Sequence, residues 1–330
     1  MGTQSSQLHF MTNGYLPELL RGLQADGVHV DKLLKYPFLK NLRLYDPDCL
    51  IPCEISNDIL ARIQEVTGCK SLVGEMPHYF RSTNMGSASR QIYQQGNFLS
   101  FLTTTVCLQN RIRTNYEIKL VTTGVTTRFS VEVKEAQSIG KSITEEIDIA
   151  RIIDGFRCVL GTDFQPLELN TTAREIKNIE HLLPKGNYTV RTGQKESSIV
   201  FHSSWLSKRI PNLLEGGQKE DEDAIPELTS SRIELLMDNM QDGFVPNLAQ
   251  IALMAGLSRR TIERRLKSEY TTFRQLKQRY LERKSYELLM DPDFSVRMVA
   301  EFLNFANPQN FIRSFRTWNG LSPSEYRNKL

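Results

Sequence analysis

The chain has 330 residues, 40% hydrophobic and 24% charged, with a formal net charge of +3. That balance is ordinary for a globular chain, and the length predicts two domains. No apolar run reaches the ~18 residues that span a bilayer, and no basic segment followed by an apolar core opens the chain. Neither a membrane helix nor a secretion signal is therefore expected, and a cytoplasmic location is. Met-Gly-Thr-Gln-Ser-Ser fits a myristoylation pattern, but nothing nearby supports anchoring.

The cysteines, at 49, 53, 69, 107 and 158, all lie in the first half. An odd number without a secretory signal argues against a disulfide scaffold. Cys49 and Cys53 have a spacing that suits a metal or redox pair, with His78 as a third ligand. Buried free thiols explain them more simply, so no metal and no cofactor are expected.

Taken in order, residues 15–24 predict a helix with Leu16, Leu19, Leu20 and Leu23 on one face. A short helix follows near Lys32-Leu33-Leu34. Residues 54–67 are amphipathic, with Ile55, Ile59, Leu60 and Ile63 inward, and 97–110 read as helix. The period then changes: Tyr116, Ile118 and Leu120 alternate, as do Thr127, Phe129, Val131 and Val133. Thr122-Thr123-Gly124 between them signals a β-hairpin. Residues 143–160 return to helix. A strand is expected at 166–169, a helix at 172–183, and strands at 188–191 and 198–201. Together these predict an α+β domain over 1–212. Residues 213–225, charged and glycine-bearing without apolar periodicity, predict a flexible linker.

The remainder, 226–330, reads as all-α. Leu248, Ile251, Ala252 and Ala255 form a buried stripe behind a capping-box start at Asn247 and Gln250. Gly256 stops that helix. Ser258 then caps a short basic helix whose apolar face is Ile262 and Leu266. Helix, glycine turn, basic helix is the helix-turn-helix pattern. It occurs twice: Val296, Val299, Ala300 and Leu303 repeat the first stripe, and Phe311 and Phe315 repeat Ile262 and Leu266. A long helix at 273–289 separates the two units. Seventeen residues span roughly 25 Å, which suits two recognition helices about one DNA turn apart. Between Arg259 and Lys284 there are ten basic and three acidic residues, an electrostatic footprint for phosphate.

The residues Ala252, Gly256-Leu257-Ser258, Arg264 to Leu266, Leu303-Asn304-Phe305, Phe311 to Arg316 and Gly320 to Arg327 carry a resemblance. Residues 226–330 resemble the DNA-binding domain of the AraC/XylS transcription regulators. Asn304 departs from the pattern, standing where those relatives have glycine. Asn tolerates a left-handed backbone, so the turn is expected to be kept. Leu20 to Gly68, Ile51-Pro52 and Ile199 to Pro211 resemble the "arabinose-binding" N-terminal domain of one branch of the same family. That resemblance implies a domain that binds an effector, dimerises, or both, and it leaves the effector unknown.

No Gly-rich phosphate loop, His-Glu-x-x-His or Gly-x-Ser-x-Gly is present, so no catalytic residue is assigned. Ser138 to Lys141 fits Ser-x-x-Lys without its partner motifs. Base readout is expected from Arg260, Glu263 and Arg264 on the first basic helix and from Gln309, Asn310 and Arg313 on the second. Arg suits guanine, Asn and Gln suit adenine, and Glu accepts from cytosine. Arg259, Lys267, Arg316 and Arg327 are expected at phosphates. An intradomain ion pair is the rival role for Arg264 and Arg313. The predicted protein is a DNA-binding transcription regulator, an activator by family analogy. Its expected partners are double-stranded DNA, a second copy, RNA polymerase and a small effector, with no membrane. A redox sensor using Cys49 and Cys53 is the alternative. An enzyme or ligand-binding protein with a vestigial DNA domain is the more distant one.

Overall fold

The computed structural model describes residues 8–84, 86–134, 141–174, 186–211, 226–241 and 243–329. The chain divides into two compact units, residues 1–40 with 44–225, and residues 226–330 together with 41–43. The first is α+β and the second all-α, the fold class expected.

In the first unit, α1 (Leu16–Ala25) buries Leu16, Leu19, Leu20 and Leu23. Helix α2 (Cys53–Thr67) buries Ile55, Ile59, Leu60 and Ile63. Helix α5 (Phe98–Ile112) begins at Asn97, whose side chain accepts the Ser100 N–H, and α6 spans Lys141–Leu160. Strands β3 (Tyr116–Thr123) and β4 (Thr126–Val133) form the expected hairpin. With β5 (Glu168–Asn170), β6 (Thr189–Arg191) and β7 (Ser197–His202) they make a five-stranded sheet ordered β3-β4-β7-β5-β6. The β5–β6 pair is parallel and the other pairs are antiparallel. Alternation puts Phe129, Ile199 and Phe201 on the buried face. There Phe98 and Phe156 meet nearly edge to face, with centroids 5.1 Å apart, a favoured arrangement of ring quadrupoles.

Several elements carry too little periodicity to be read from sequence. Strands β1 (Phe10–Thr12) and β2 (Leu50–Pro52) pair over three residues, too few for a visible alternation. Helices α3 (Leu72–Glu75) and α4 (Ser87–Tyr93) are short. The short helix expected near Lys32 is a single 3-10 turn at Val30–Leu33. Residues 172–174 are not helical, and the rest of the helix expected at 172–183 lies outside the described residues. The linker at 213–225 and residues 138–140 also lie outside them. Cys49 and Cys53 are 3% and 1% exposed and are not joined in a disulfide. Among the described residues no helix is long and apolar enough to cross a membrane.

The second unit runs α7 (Thr229–Asp238), α8 (Leu248–Met254), α9 (Arg259–Ser268), α10 (Phe273–Met290), α11 (Val296–Phe302), α12 (Pro308–Asn319) and α13 (Pro323–Arg327). Its second half is built on Leu289, Val299, Ala300, Leu303, Phe311 and Phe315. Phe315 stacks edge-on against both Tyr286 and Tyr326. Tyr326 belongs to the run that carries the family resemblance, so part of that run is core. Ser322 and Glu325 form a capping box at the start of α13.

Candidate nucleic-acid interface

Two copies of one local design build the candidate interface. In the first, Asn247 and Gln250 close a reciprocal capping box on α8. Helix α8 buries Ile251, Ala252 and Met254, and α9 answers with Ile262 and Leu266. Ser258 starts α9 by accepting the Thr261 N–H. In the second, Ser295 caps α11, and Asn307 caps α12 with Pro308 in its first turn. A proline costs nothing there, because that amide has no intrahelical acceptor. Helix α11 buries Val299 and Ala300 against Phe311 and Phe315 of α12.

The turns match at the level of single hydrogen bonds. The Leu257 N–H reaches the Ala252 carbonyl at 3.0 Å, and the Phe305 N–H reaches Ala300 at 2.9 Å. Gly256 and Asn304 between them are left-handed, with φ of 62° and 56°. The departure at Asn304 thus leaves the turn intact, as expected. Tyr270 is left-handed as well, with φ 56° and 98% exposure, and a tyrosine does not announce that conformation. There the Thr271 N–H returns to Leu266 at 2.9 Å and ends α9.

Burial of one face leaves the other to solvent. Arg259, Arg260, Glu263, Arg264 and Lys267 are exposed on α9, and Gln309, Arg313 and Arg316 on α12. Asn310 is half-buried and accepts from Arg313 Nη2 at 3.5 Å. Among the described residues neither Arg264 nor Arg313 makes an ion pair, so nothing in the unit supports the rival role. Arg316 lies 3.7 Å from Glu325, an exposed contact that competes weakly with an incoming phosphate.

Two expectations change. Arg327 is half-buried, and its guanidinium donates Nε to the Leu289 carbonyl at 3.1 Å and Nη2 to the Phe294 carbonyl. It ties the end of α10 to the loop before α11, so the phosphate role assigned to it gives way to a structural one. The basic cluster is also less free than its composition implies. Arg283 and Lys284 meet Asp238 at 3.0 and 3.1 Å, and Arg279 approaches Glu234 at 3.9 Å. These three fasten α10 to α7. The signal was present: acids four apart at 234 and 238 facing bases four apart at 279 and 283.

A further residue escaped the sequence reading. Glu269, at the end of α9, accepts the Thr229 and Ser230 N–H groups at 2.8 and 2.9 Å. It caps α7 from another helix, which fixes where the basic helix sits. Partial burial pushes its carboxyl up, but the hydrogen bonds from Ser230 and Thr229 outweigh this and hold its pKa below the usual carboxylate value.

Comparison with known proteins converges on the same stretch. Residues 251–329 match the family described as a helix-turn-helix domain. The chain is similar to the HTH-type transcriptional regulator VqsM of Pseudomonas aeruginosa, at 32% identity over 99 residues. It is also similar to the transcriptional activator AggR of Escherichia coli, at 33% over 79 residues. The matched stretches cover 30% and 24% of this chain and 30% of each relative, so the chain spans under a third of the length of these relatives. The crystal structure of the transcriptional regulator CdpR from Pseudomonas aeruginosa overlays 83% of this chain and 91% of its own, at 18% identity and a TM-score of 0.38.

Proposed function

We propose, from a chain whose C-terminal helix-turn-helix domain is of the AraC type, that the protein is a sequence-specific DNA-binding transcription regulator acting as an activator. In this reading residues 226–330 bind DNA, 213–225 link, and 1–212 bind a small effector, dimerise, or both. Double-stranded DNA, a second copy and RNA polymerase are the partners, the cytoplasm is the location, and no catalytic role is assigned.

The observation that carries the proposal is the duplication itself. Two separately capped helices, α9 and α12, present exposed basic and amide side chains from the same scaffold. One such helix is explained by a solvated surface. Two at matched positions, joined by an 18-residue helix about 27 Å long, suit successive major grooves. Arg260, Glu263 and Arg264 would read one half of the site, and Gln309, Asn310 and Arg313 the other. Arg259, Lys267 and Arg316 would hold phosphates.

Selection of bound sites from random duplex DNA tests this directly. The expected product is a bipartite motif with its halves about one helical turn apart. Affinity for it should fall steeply as salt rises, because each neutralised phosphate releases counterions. Recovery of unrelated sequences only, or an affinity indifferent to salt, would remove the proposal.

A further inference from the structure

A cavity of about 90 Å³ lies in the first unit, walled by the sheet and by α4, α5 and α6. Ile92, Phe101, Phe129, Val131 and Phe156 make its walls apolar. Three charged residues interrupt them: Arg113, Asp148 and Arg151. Arg113 and Asp148 are 5% and 8% exposed, and Arg113 Nη1 meets Asp148 Oδ1 at 3.2 Å. The Arg113 guanidinium lies over Tyr116, 3.6 Å from the ring centroid, and that of Arg151 lies over Tyr15 at 5.3 Å.

The pair does not account for what is buried. Nε and Nη2 of Arg113, Nε and Nη2 of Arg151, and Oδ2 of Asp148 are enclosed without a hydrogen-bond partner. Nε and Nη2 form the edge of a guanidinium that grips a carboxylate by two parallel bonds. Both arginines therefore keep that edge unused. Two arginines against one aspartate also leave one positive charge in an apolar surround, an arrangement that is strongly unfavourable without a counter-ion. Burial lowers the pKa of Arg151 from the ordinary arginine value, consistent with a charge that lacks compensation.

We propose that this cavity takes a small monocarboxylic acid with a compact apolar body, and that such an acid is the class of effector for the regulator proposed above. The inference rests on that reading for the word effector, but not for the site. One negative charge matches the excess. A phosphate monoester carries up to two charges, one more than the excess. The volume is below the roughly 150 Å³ of a cavity that admits benzene, so it limits the body to a short aliphatic chain.

The test uses the full chain with propionate and isovalerate, each paired with its neutral amide, propionamide and isovaleramide. Thermal unfolding and calorimetric titration should show saturable binding of at least one acid, with Tm raised by several degrees. The matching amide should bind at least about tenfold more weakly, because it leaves the charge uncompensated. Arg151→Met should raise the Tm of the unliganded protein, since it removes a half-buried charge whose Nε and Nη2 are enclosed, and should abolish the response to acid. Equal responses to acid and amide, no response to either acid, or an Arg151→Met protein that keeps the response would overturn the site. Should Arg151→Met not fold, Asp148→Asn decides. It removes the competing carboxylate, so acid should bind more tightly, and weaker binding counts against the proposal. An acid that binds without changing DNA affinity supports the site and sinks effector control. A neutral or cationic compound that changes DNA affinity where no acid binds keeps effector control and sinks the site.

Discussion

Gly256 and Asn304 hold the same left-handed turn in two helix-turn-helix units 48 residues apart, with φ of 62° and 56°. The residue after each returns its N–H to the carbonyl of an alanine five positions back, Ala252 and Ala300. Glycine adopts that conformation freely, asparagine at small cost, and a β-branched residue badly. Asn304→Gly should therefore be neutral or slightly stabilising, and Asn304→Val should cost on the order of 1–2 kcal/mol. Urea unfolding of the full chain, followed by a probe of the C-terminal unit, measures both. Equal stability of the two variants would mean the turn does not limit the unit.

Gly243 sits in the loop before α8 with φ 64°, and a Cβ there would lie 1.9 Å from the Phe302 carbonyl oxygen. That oxygen is backbone at the end of α11 and has little room to retreat. Gly243→Ala should destabilise the C-terminal unit by on the order of 2 kcal/mol or more, through strain and overpacking together. Thermal unfolding checks this, and an unchanged Tm would show that the loop relaxes freely.

Glu269 gives the C-terminal unit a pH dependence of known sign. Its folded pKa is held below the unfolded value of about 4.3. Its contribution is thus fully present above that value and is lost as pH falls through the lower, folded pKa. The stability gap between the wild type and Glu269→Gln should be widest near pH 7 and should close below about pH 4. A gap independent of pH would detach the Thr229 and Ser230 amides from the carboxylate's charge.

How much of this was legible depends on how each feature is encoded. Helices such as α1 and α2 announce themselves because one buried stripe repeats over two or more turns. Both helix-turn-helix units were legible for the same reason, reinforced by caps at Asn247, Ser258 and Ser295. Strands β1 and β2 were not, since three residues cannot display a period. The destinations of Arg327 and Glu269 were hidden for another reason. Each bonds to backbone 33 to 40 positions away, and a carbonyl or amide leaves no trace in residue identity. The unmatched charge among Arg113, Asp148 and Arg151 was equally hidden, because only the packing of α5 against α6 brings it together.

Arg327 separates structure from phosphate contact. Arg327→Met keeps an apolar stem but loses the bonds to Leu289 and Phe294, so the C-terminal unit should lose about 1–3 kcal/mol. Its salt dependence of DNA binding should stay that of the wild type. Lys267→Ala should do the reverse, leaving stability unchanged and lowering the salt slope by about one unit. Unfolding curves and salt titrations on one selected site distinguish them, and a reduced slope for Arg327→Met would return that residue to the phosphates.

Arg264 and Arg313 bear on how sequence is read. They occupy matched, exposed positions on α9 and α12, and neither forms an ion pair among the described residues. A bidentate Arg–guanine contact discriminates by about 1–3 kcal/mol. Arg264→Ala should relax preference at one end of the selected site and Arg313→Ala at the other. The Arg313 change also frees Asn310, which now accepts from it, so preference at a neighbouring base pair should shift with it. Binding to a library of single-base variants reads both effects. A uniform loss across the library, with preferences intact, would move both arginines to the phosphates. Specificity would then rest on Arg260, Glu263, Gln309 and Asn310, of which Asn310 is the least exposed and the most firmly held by its neighbours.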